Sequence, residues 1–230
     1  MNRLAPLASW LIVILVPFAL VGVGVRILLT PAFLQFEYRL PNFPPDEYGF
    51  TTADRLNWGT YGITYLTNDA GISYLGSLKF ADGTPVFNSR ELSHMHDVKL
   101  VTQGLLRIWW GMLGAIILLG VLAWLTKVWP AFVAGLRGGG RLTLLLAVVL
   151  GAIGTVGGTG SGEVFWQFFA DFHHLFFSGN SWIFSFSDTL IRLYPIRFWE
   201  DAVLYIGIIT AVGAAILAFV IKVPPANRHT

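Results

Sequence analysis

Four apolar runs, each long enough to cross the hydrocarbon core of a bilayer, constrain this chain more than any other feature. They are Leu4 to Leu29, Ile108 to Thr126, Leu142 to about Gly158, and Ala202 to Ile221. About 20 helical residues span that core, and backbone amides that cannot stay unpaired in lipid force each run into a helix. Only 12% of the residues are charged, about half the share of a soluble domain. The first run follows Met1, Asn2 and Arg3 and so opens like a secretory signal peptide. Its apolar stretch is too long and no small-x-small cleavage pattern follows it. It therefore reads as a retained span, interrupted only by Pro6, Pro17 and Arg26. The fold class this predicts is an α-helical integral membrane protein with four transmembrane helices.

The charges divide sharply between the two sides. With the amino terminus in the cytoplasm, the inner segments hold Arg3, Lys127, Arg137, Arg141, Lys222 and Arg228 and no carboxylate. All 13 acidic residues then fall in the two outer segments, Glu37 to Asp97 and Glu163 to Asp201. This is the positive-inside pattern, and it predicts both termini in the cytoplasm. Trp109, Trp110, Trp182 and Trp199 would mark the outer interface, with Trp124 and Trp129 at the inner one. The net charge of +2 gives no reason to invoke nucleic acid. With no cysteine in the chain, disulfides, thiolate metal sites and a cysteine nucleophile are all excluded.

The first outer segment, residues 31–103, is large enough to fold as a small extracytoplasmic α+β cap. Pro31, Pro41, Pro44 and Pro45 favour extended and turn structure at its start. Thr51 and Thr52 precede Ala53, Asp54, Arg55 and Leu56 as a capped helix start. Tyr61–Leu66, Ile72–Phe80 and Val86–Phe87 are β-prone, and Asp82-Gly83 is a hairpin signal. Asn88 and Glu91 fit a capping box, so a helix should begin there and lead into the second span at residues 104–126, bending near Gly104. Residues 127–141, ending in Gly138-Gly139-Gly140, read as a flexible cytoplasmic loop; the spacing of a phosphate-binding loop is missing. After the third span, 142–158, the glycine-rich 157–162 opens an outer segment that runs to residue 201. In it Phe165, Phe168, Phe169, Phe172 and Phe176 recur at helical spacing, as in an interfacial helix. The fourth span, 202–222, leaves residues 223–230 as a cytoplasmic tail in which His229 is solvated.

Chemistry must come from the outer segments, which hold His94, His96, His173 and His174. On a helix His94 and His96 point about 200° apart, and His173 and His174 about 100° apart. Neither pair can therefore hold one metal ion, and no metal is expected. Glu91, His94 and Asp97 do share a face, where a carboxylate can fix an imidazole tautomer and raise its basicity. The geometry favours one histidine from each outer segment, with Glu91 and Asp97 as orienting groups. No Gly-x-Ser-x-Gly elbow occurs, so a nucleophilic serine is not called for.

Three blocks carry a resemblance. Arg90-Glu91-Leu92-Ser93-His94-Met95-His96-Asp97-Val98-Lys99 is the first, and Phe172-His173-His174-Leu175-Phe176-Phe177 with Asn180-Ser181-Trp182 the second. Asp188-Thr189-Leu190-Ile191 with Pro195 and Phe198 is the third. In sequence and in order they resemble the bacterial lipoprotein intramolecular transacylase family, whose four-span layout with a large first outer loop also agrees. The resemblance implies a bacterial plasma-membrane enzyme with an extracytoplasmic active site. Its substrate would be a lipoprotein carrying an amino-terminal S-diacylglyceryl-cysteine. The acyl chain at the sn-2 glyceryl position would move to the cysteine α-amino group, giving the lyso form with no cofactor. Carried over, the catalytic residues would be His94 and His173, while His96 and His174 fall at variable positions. Trp182 and Asp188 would shape the outer rim, and Arg90 and Lys99 could meet anionic headgroups of membrane lipids. On spans and charge alone, a metal-dependent membrane hydrolase or a non-enzymatic scaffold would fit as well. The three blocks favour the acyltransferase.

Overall fold

The computed structural model describes residues 4–156 and 161–225. Arg3, the glycine-rich 157–160, Arg228 and His229 lie outside them. The described residues form α1 (Leu4–Leu28), α2 (Pro31–Glu37), α3 (Thr52–Thr67), α4 (Ser73–Gly76), α5 (Ser89–Leu125), α6 (Trp129–Val156), α7 (Ser161–Phe176), α8 (Thr189–Leu193) and α9 (Ile196–Ala215). A π-helical turn, Ile216–Val220, extends α9. Four helices are long and apolar enough to cross a membrane, within Ala5–Leu28, Ser89–Leu125, Trp129–Ala152 and Ile196–Val220. Their large side chains stay exposed, as at Ile117, Leu118, Val148 and Phe219, which is what a lipid-facing surface requires.

The chain divides into two compact units. The first takes residues 1–25, 106–157 and 205–230. Its described core is Ile12, Val16, Ala123, Phe132 and Val133. Here the structure overturns one expectation: residues 129–141 are the first half of α6, not a flexible loop. A glycine run weakens an isolated helix by about 1 kcal/mol per residue, but packing outweighs that. A Cβ on Gly139 would fall 2.5 Å from Val16 Cβ of α1, and one on Gly140 would fall 2.6 Å from the Ala214 carbonyl of α9. Small residues let helix backbones approach closely where lipid offers no hydrophobic drive between them. Trp109 uses the same device, its ring filling the space over Gly22 while its Nε1 donates to the Ala19 carbonyl at 3.0 Å.

The second unit, residues 26–105 and 158–204, carries all four histidines of interest. Its core is Tyr65, Leu75, Val86, Phe87, Met95, Leu190 and Leu193. The capped start at Thr51 is present in full: its hydroxyl accepts from Asp54 N, and Asp54 Oδ2 accepts from Thr51 N. The resulting helix runs through Thr67 and absorbs the β-prone Tyr61–Leu66. Ile72–Phe80 is a short helical turn followed by extended chain. Gly83, at φ 87°, does make the tight turn, but the pairing beside it shrinks to one bridge, Lys79 with Pro85. Proline cannot extend a ladder because it has no N–H to donate. Among the described residues the unit is therefore helical rather than α+β. α5 runs unbroken through Gly104.

Candidate active site

α5 begins at a capping box that the sequence announces. Asn88 Oδ1 accepts from Glu91 N at 3.0 Å, and Glu91 Oε2 accepts from Asn88 N at 2.7 Å. One turn on, the helix buries His94. α7 buries His173, and the two rings lie nearly parallel with centroids 6.2 Å apart. His96 and His174, one residue round each helix or two, are exposed. His174 touches only the edge of this group, its ring 5.3 Å from Trp182.

Aromatic rings enclose the pair. Phe177 lies 5.1 Å from His94 and 5.7 Å from His173, and Phe184 lies 5.3 Å from His94. Phe169 and Trp182 lie 4.1 and 4.8 Å from His173. Of these, the sequence points only to Trp182 at the site; it places Phe169 in an interfacial helix and Phe177 only in the second block. Phe169 and Phe177 sit one helical turn either side of His173, a register signal available in the sequence. Phe184 had none.

The two imidazoles differ in what holds them. His173 Nδ1 is 2.7 Å from the Phe169 carbonyl, which can only accept, so Nδ1 carries the proton and the Nε2 lone pair is left for chemistry. Burial pushes the His173 imidazole below its ordinary value, aided by His174 and opposed by the Phe169 carbonyl. It is therefore neutral near pH 7. His94 Nδ1 is buried with no hydrogen-bond partner among the described residues, and the same is true of Trp182 Nε1. Two unpartnered polar atoms in one ring cluster are unusual, because each such group costs roughly 1–3 kcal/mol.

The expected orienting carboxylates do something else. Glu91 is almost fully buried, and its second oxygen, Oε1, accepts from Leu190 N at 2.7 Å. It thus ties the start of α5 to α8 instead of reaching His94. Asp97 makes no hydrogen bond to His94 and is only half-buried. The other candidates hold the surrounding loops. Arg90 Nη2 donates to the Ile183 carbonyl at 2.6 Å and its guanidinium covers Phe184, fixing the ring that faces His94. Asp188 Oδ2 accepts from Ser185 N and Oδ1 from Asn88 Nδ2, closing the 185–188 turn onto the α5 start. Lys99 is buried, with Nζ donating to Asn68 Oδ1 and the Ala70 carbonyl over the Tyr65 ring. Its donors are thus directed at groups of the same unit. Among the described residues no three His, Asp or Glu side chains converge as metal ligands.

Residues 10–199 match the family model described as lipoprotein intramolecular transacylase Lit. A curated protein of Aquifex aeolicus, itself uncharacterized, is 29% identical over 93% of this chain and 92% of its own. The fold is shared with the in meso structure of the membrane integral lipoprotein intramolecular transacylase Lit from Bacillus cereus. That likeness has a TM-score of 0.75 at 20% identity and covers 94% of each chain. The same Bacillus cereus protein with one histidine mutated to arginine gives a TM-score of 0.67 at 22% identity, over 94% of this chain and 88% of that one.

Proposed function

The chain belongs to the lipoprotein intramolecular transacylase family, and on that premise we propose that His94 and His173 together carry its acyl transfer. It is a multi-pass membrane acyltransferase that acts on lipoproteins. The observation that carries the proposal is the parallel, ring-enclosed pair contributed by two different helices. Its finer substrate is an amino-terminal S-diacylglyceryl-cysteine. The charge asymmetry of the sequence supports termini in the cytoplasm and a site facing outward.

The substrate supplies both partners of the reaction. Its α-amino nitrogen attacks the sn-2 ester carbonyl carbon, a C–N bond forms, and the carbonyl oxygen becomes an oxyanion. A free α-amine has a pKa near 8, so an appreciable fraction is neutral at pH 7. His173 Nε2, neutral and aimed by the Phe169 carbonyl, takes the proton the amine must lose. His94 donates an N–H to the oxyanion. With centroids 6.2 Å apart, one tetrahedral centre can lie about 3 Å from a nitrogen of each ring. The C–O bond then breaks, and the proton held on His173 passes to the glyceryl oxygen, leaving a free hydroxyl and an amide. Protons and atoms balance without a protein nucleophile or a cofactor.

The test is mass spectrometry of a diacylglyceryl lipopeptide incubated with the purified protein in detergent. The expected product has unchanged mass, and fragmentation places one acyl group on nitrogen. His94→Ala and His173→Ala should each lower turnover at least 100-fold, the usual weight of a positioned acid or base. Full activity in either variant would remove the paired-histidine mechanism, and loss of one fatty acid from the substrate would mark a hydrolase.

A further inference from the structure

Away from the histidines, α3 opens beside a cavity of about 300 Å3. Tyr38, Phe43 and Phe50 form aromatic walls, and Asp46, Thr52 and Arg55 supply its polar surface. Most of that polar surface is already occupied. Tyr38 donates its hydroxyl proton to the Leu193 carbonyl. Asp46 accepts from Phe50 N at 2.6 Å and forms an ion pair with Arg192 at 3.0 Å.

Arg55 is the exception. It is 5% exposed, yet among the described residues it forms no ion pair. Nε donates to the Arg192 carbonyl and Nη1 to the Pro44 carbonyl, both neutral acceptors, while Nη2 has no partner. Nη2 keeps some accessible surface, and Arg55 is one of the residues that line the cavity. Burial pushes the guanidinium below its ordinary value, with Asp46 and Tyr38 opposing and Arg192 adding to the shift. A buried charge ordinarily has a counter-ion. The Thr52 hydroxyl, also on the wall, makes no hydrogen bond among the described residues, and it stands in the first turn of the helix that Thr51 and Asp54 cap.

We propose that this cavity binds a phosphate group, held by Arg55 Nη2 and the Thr52 hydroxyl. The charge fits: Asp46 and Arg192 neutralise each other, which leaves one positive charge on the cavity wall. The size fits as well, since the aromatic walls leave room for carbon groups beside the phosphate. In a membrane protein the abundant source of such a group is a phospholipid headgroup; free inorganic phosphate is the other.

Native mass spectrometry of the full, delipidated chain in detergent can separate these. Phosphatidylglycerol, phosphatidylcholine and a phosphate-free diacyl glycolipid are titrated in turn. The expected result is one tight site for both phospholipids, at least tenfold tighter than the glycolipid. Arg55→Gln should abolish that preference, and Thr52→Val should weaken phospholipid binding about tenfold, the weight of one charge-assisted hydrogen bond. Should Arg55→Gln fail to fold, Thr52→Val decides alone, because that side chain is exposed and holds nothing else in place. Displacement of the lipid by inorganic phosphate, but not by chloride at the same ionic strength, would support the phosphate site and assign it to the free ion. Equal binding of glycolipid and phospholipid, or unchanged affinities in the variants that fold, would overturn the proposal.

Discussion

Glu91→Gln separates two roles for a carboxylate one helical turn from a candidate catalytic histidine. In the structure both of its oxygens accept backbone N–H groups, from Asn88 and Leu190, each at 2.7 Å, at a position only 1% exposed. The amide substitution keeps the volume but turns one acceptor into an NH2 facing an N–H. One hydrogen bond to a charged acceptor is lost and a buried donor is stranded, at a cost of about 2–4 kcal/mol. For a chain of this size that is a fall of roughly 5–15 °C in unfolding temperature. The nine tryptophans make intrinsic fluorescence a direct assay in detergent. Turnover measured well below the new transition should change little, because Glu91 does not touch His94. An unfolding temperature within about 2 °C of the parent, together with a reduced kcat and a displaced pH profile, would refute this reasoning and restore Glu91 as the group that orients the histidine.

Glu37 is fully buried with no hydrogen-bond donor among the described residues, and burial, then Asp201, push its carboxyl up to about 8, with Arg197 opposing. Between pH 4.5 and about 8 only the unfolded chain has lost that proton, so stability falls as pH rises through this window; Glu37→Gln should flatten the slope in an unfolding-temperature series. His173 has the opposite sense: its depressed value means the unfolded chain protonates first, so its contribution is complete above pH 6.5 and is lost as pH falls below it. The acid limb of kcat/KM, which reports the free enzyme, should likewise lie below pH 6.5, and a limb at or above 6.5 would count against His173 as the base. Gly140→Ala drives a Cβ to 2.6 Å from the Ala214 carbonyl and 2.9 Å from Ala218 N, neither of which can rotate away, and should cost about 1–3 kcal/mol. Gly151→Ala, with nothing within 4 Å, should not destabilise, and equal losses in the two would undo the close-packing account.

What could be read from the sequence was local or periodic. The four apolar runs, the capped helix start at Thr51, the capping box at Asn88, and the divergence of adjacent histidines on a helix all depend on residues within a few positions of one another. What could not be read depends on distant partners. Glu91 was legible as a cap for α5, but its second oxygen binds Leu190, 99 residues away. Gly139 and Gly140 look like a helix breaker until Val16 and Ala214 stand against them. Tyr61–Leu66 has β-prone residues, but the cap at Thr51 and the burial of Ile63 and Tyr65 impose a helix. Lys99 looks available for an anionic headgroup until Asn68 and Ala70 are found around its ammonium.

The ring enclosure and the chemistry depend on each other. A tethered amine presented to its own ester can reach an effective concentration on the order of 10⁵ M, so the proposed reaction needs no nucleophile from the protein. Water would compete for the same ester, and the rings of Phe169, Phe177, Trp182 and Phe184 leave it little room. The same burial lowers the affinity of His173 for a proton. In the proposed mechanism this would make it a weaker base toward the amine but a stronger acid once protonated, and breakdown of the intermediate would need that acid. A glyceryl alkoxide is a poor leaving group, and on the proposed mechanism an imidazolium beside it would return the proton as the C–O bond breaks. A hydrogen-bonded carboxylate on His173 would reverse this bias by stabilising the imidazolium. The neutral Phe169 carbonyl that occupies the position instead fixes the tautomer, and its pull toward the protonated ring is outweighed by burial.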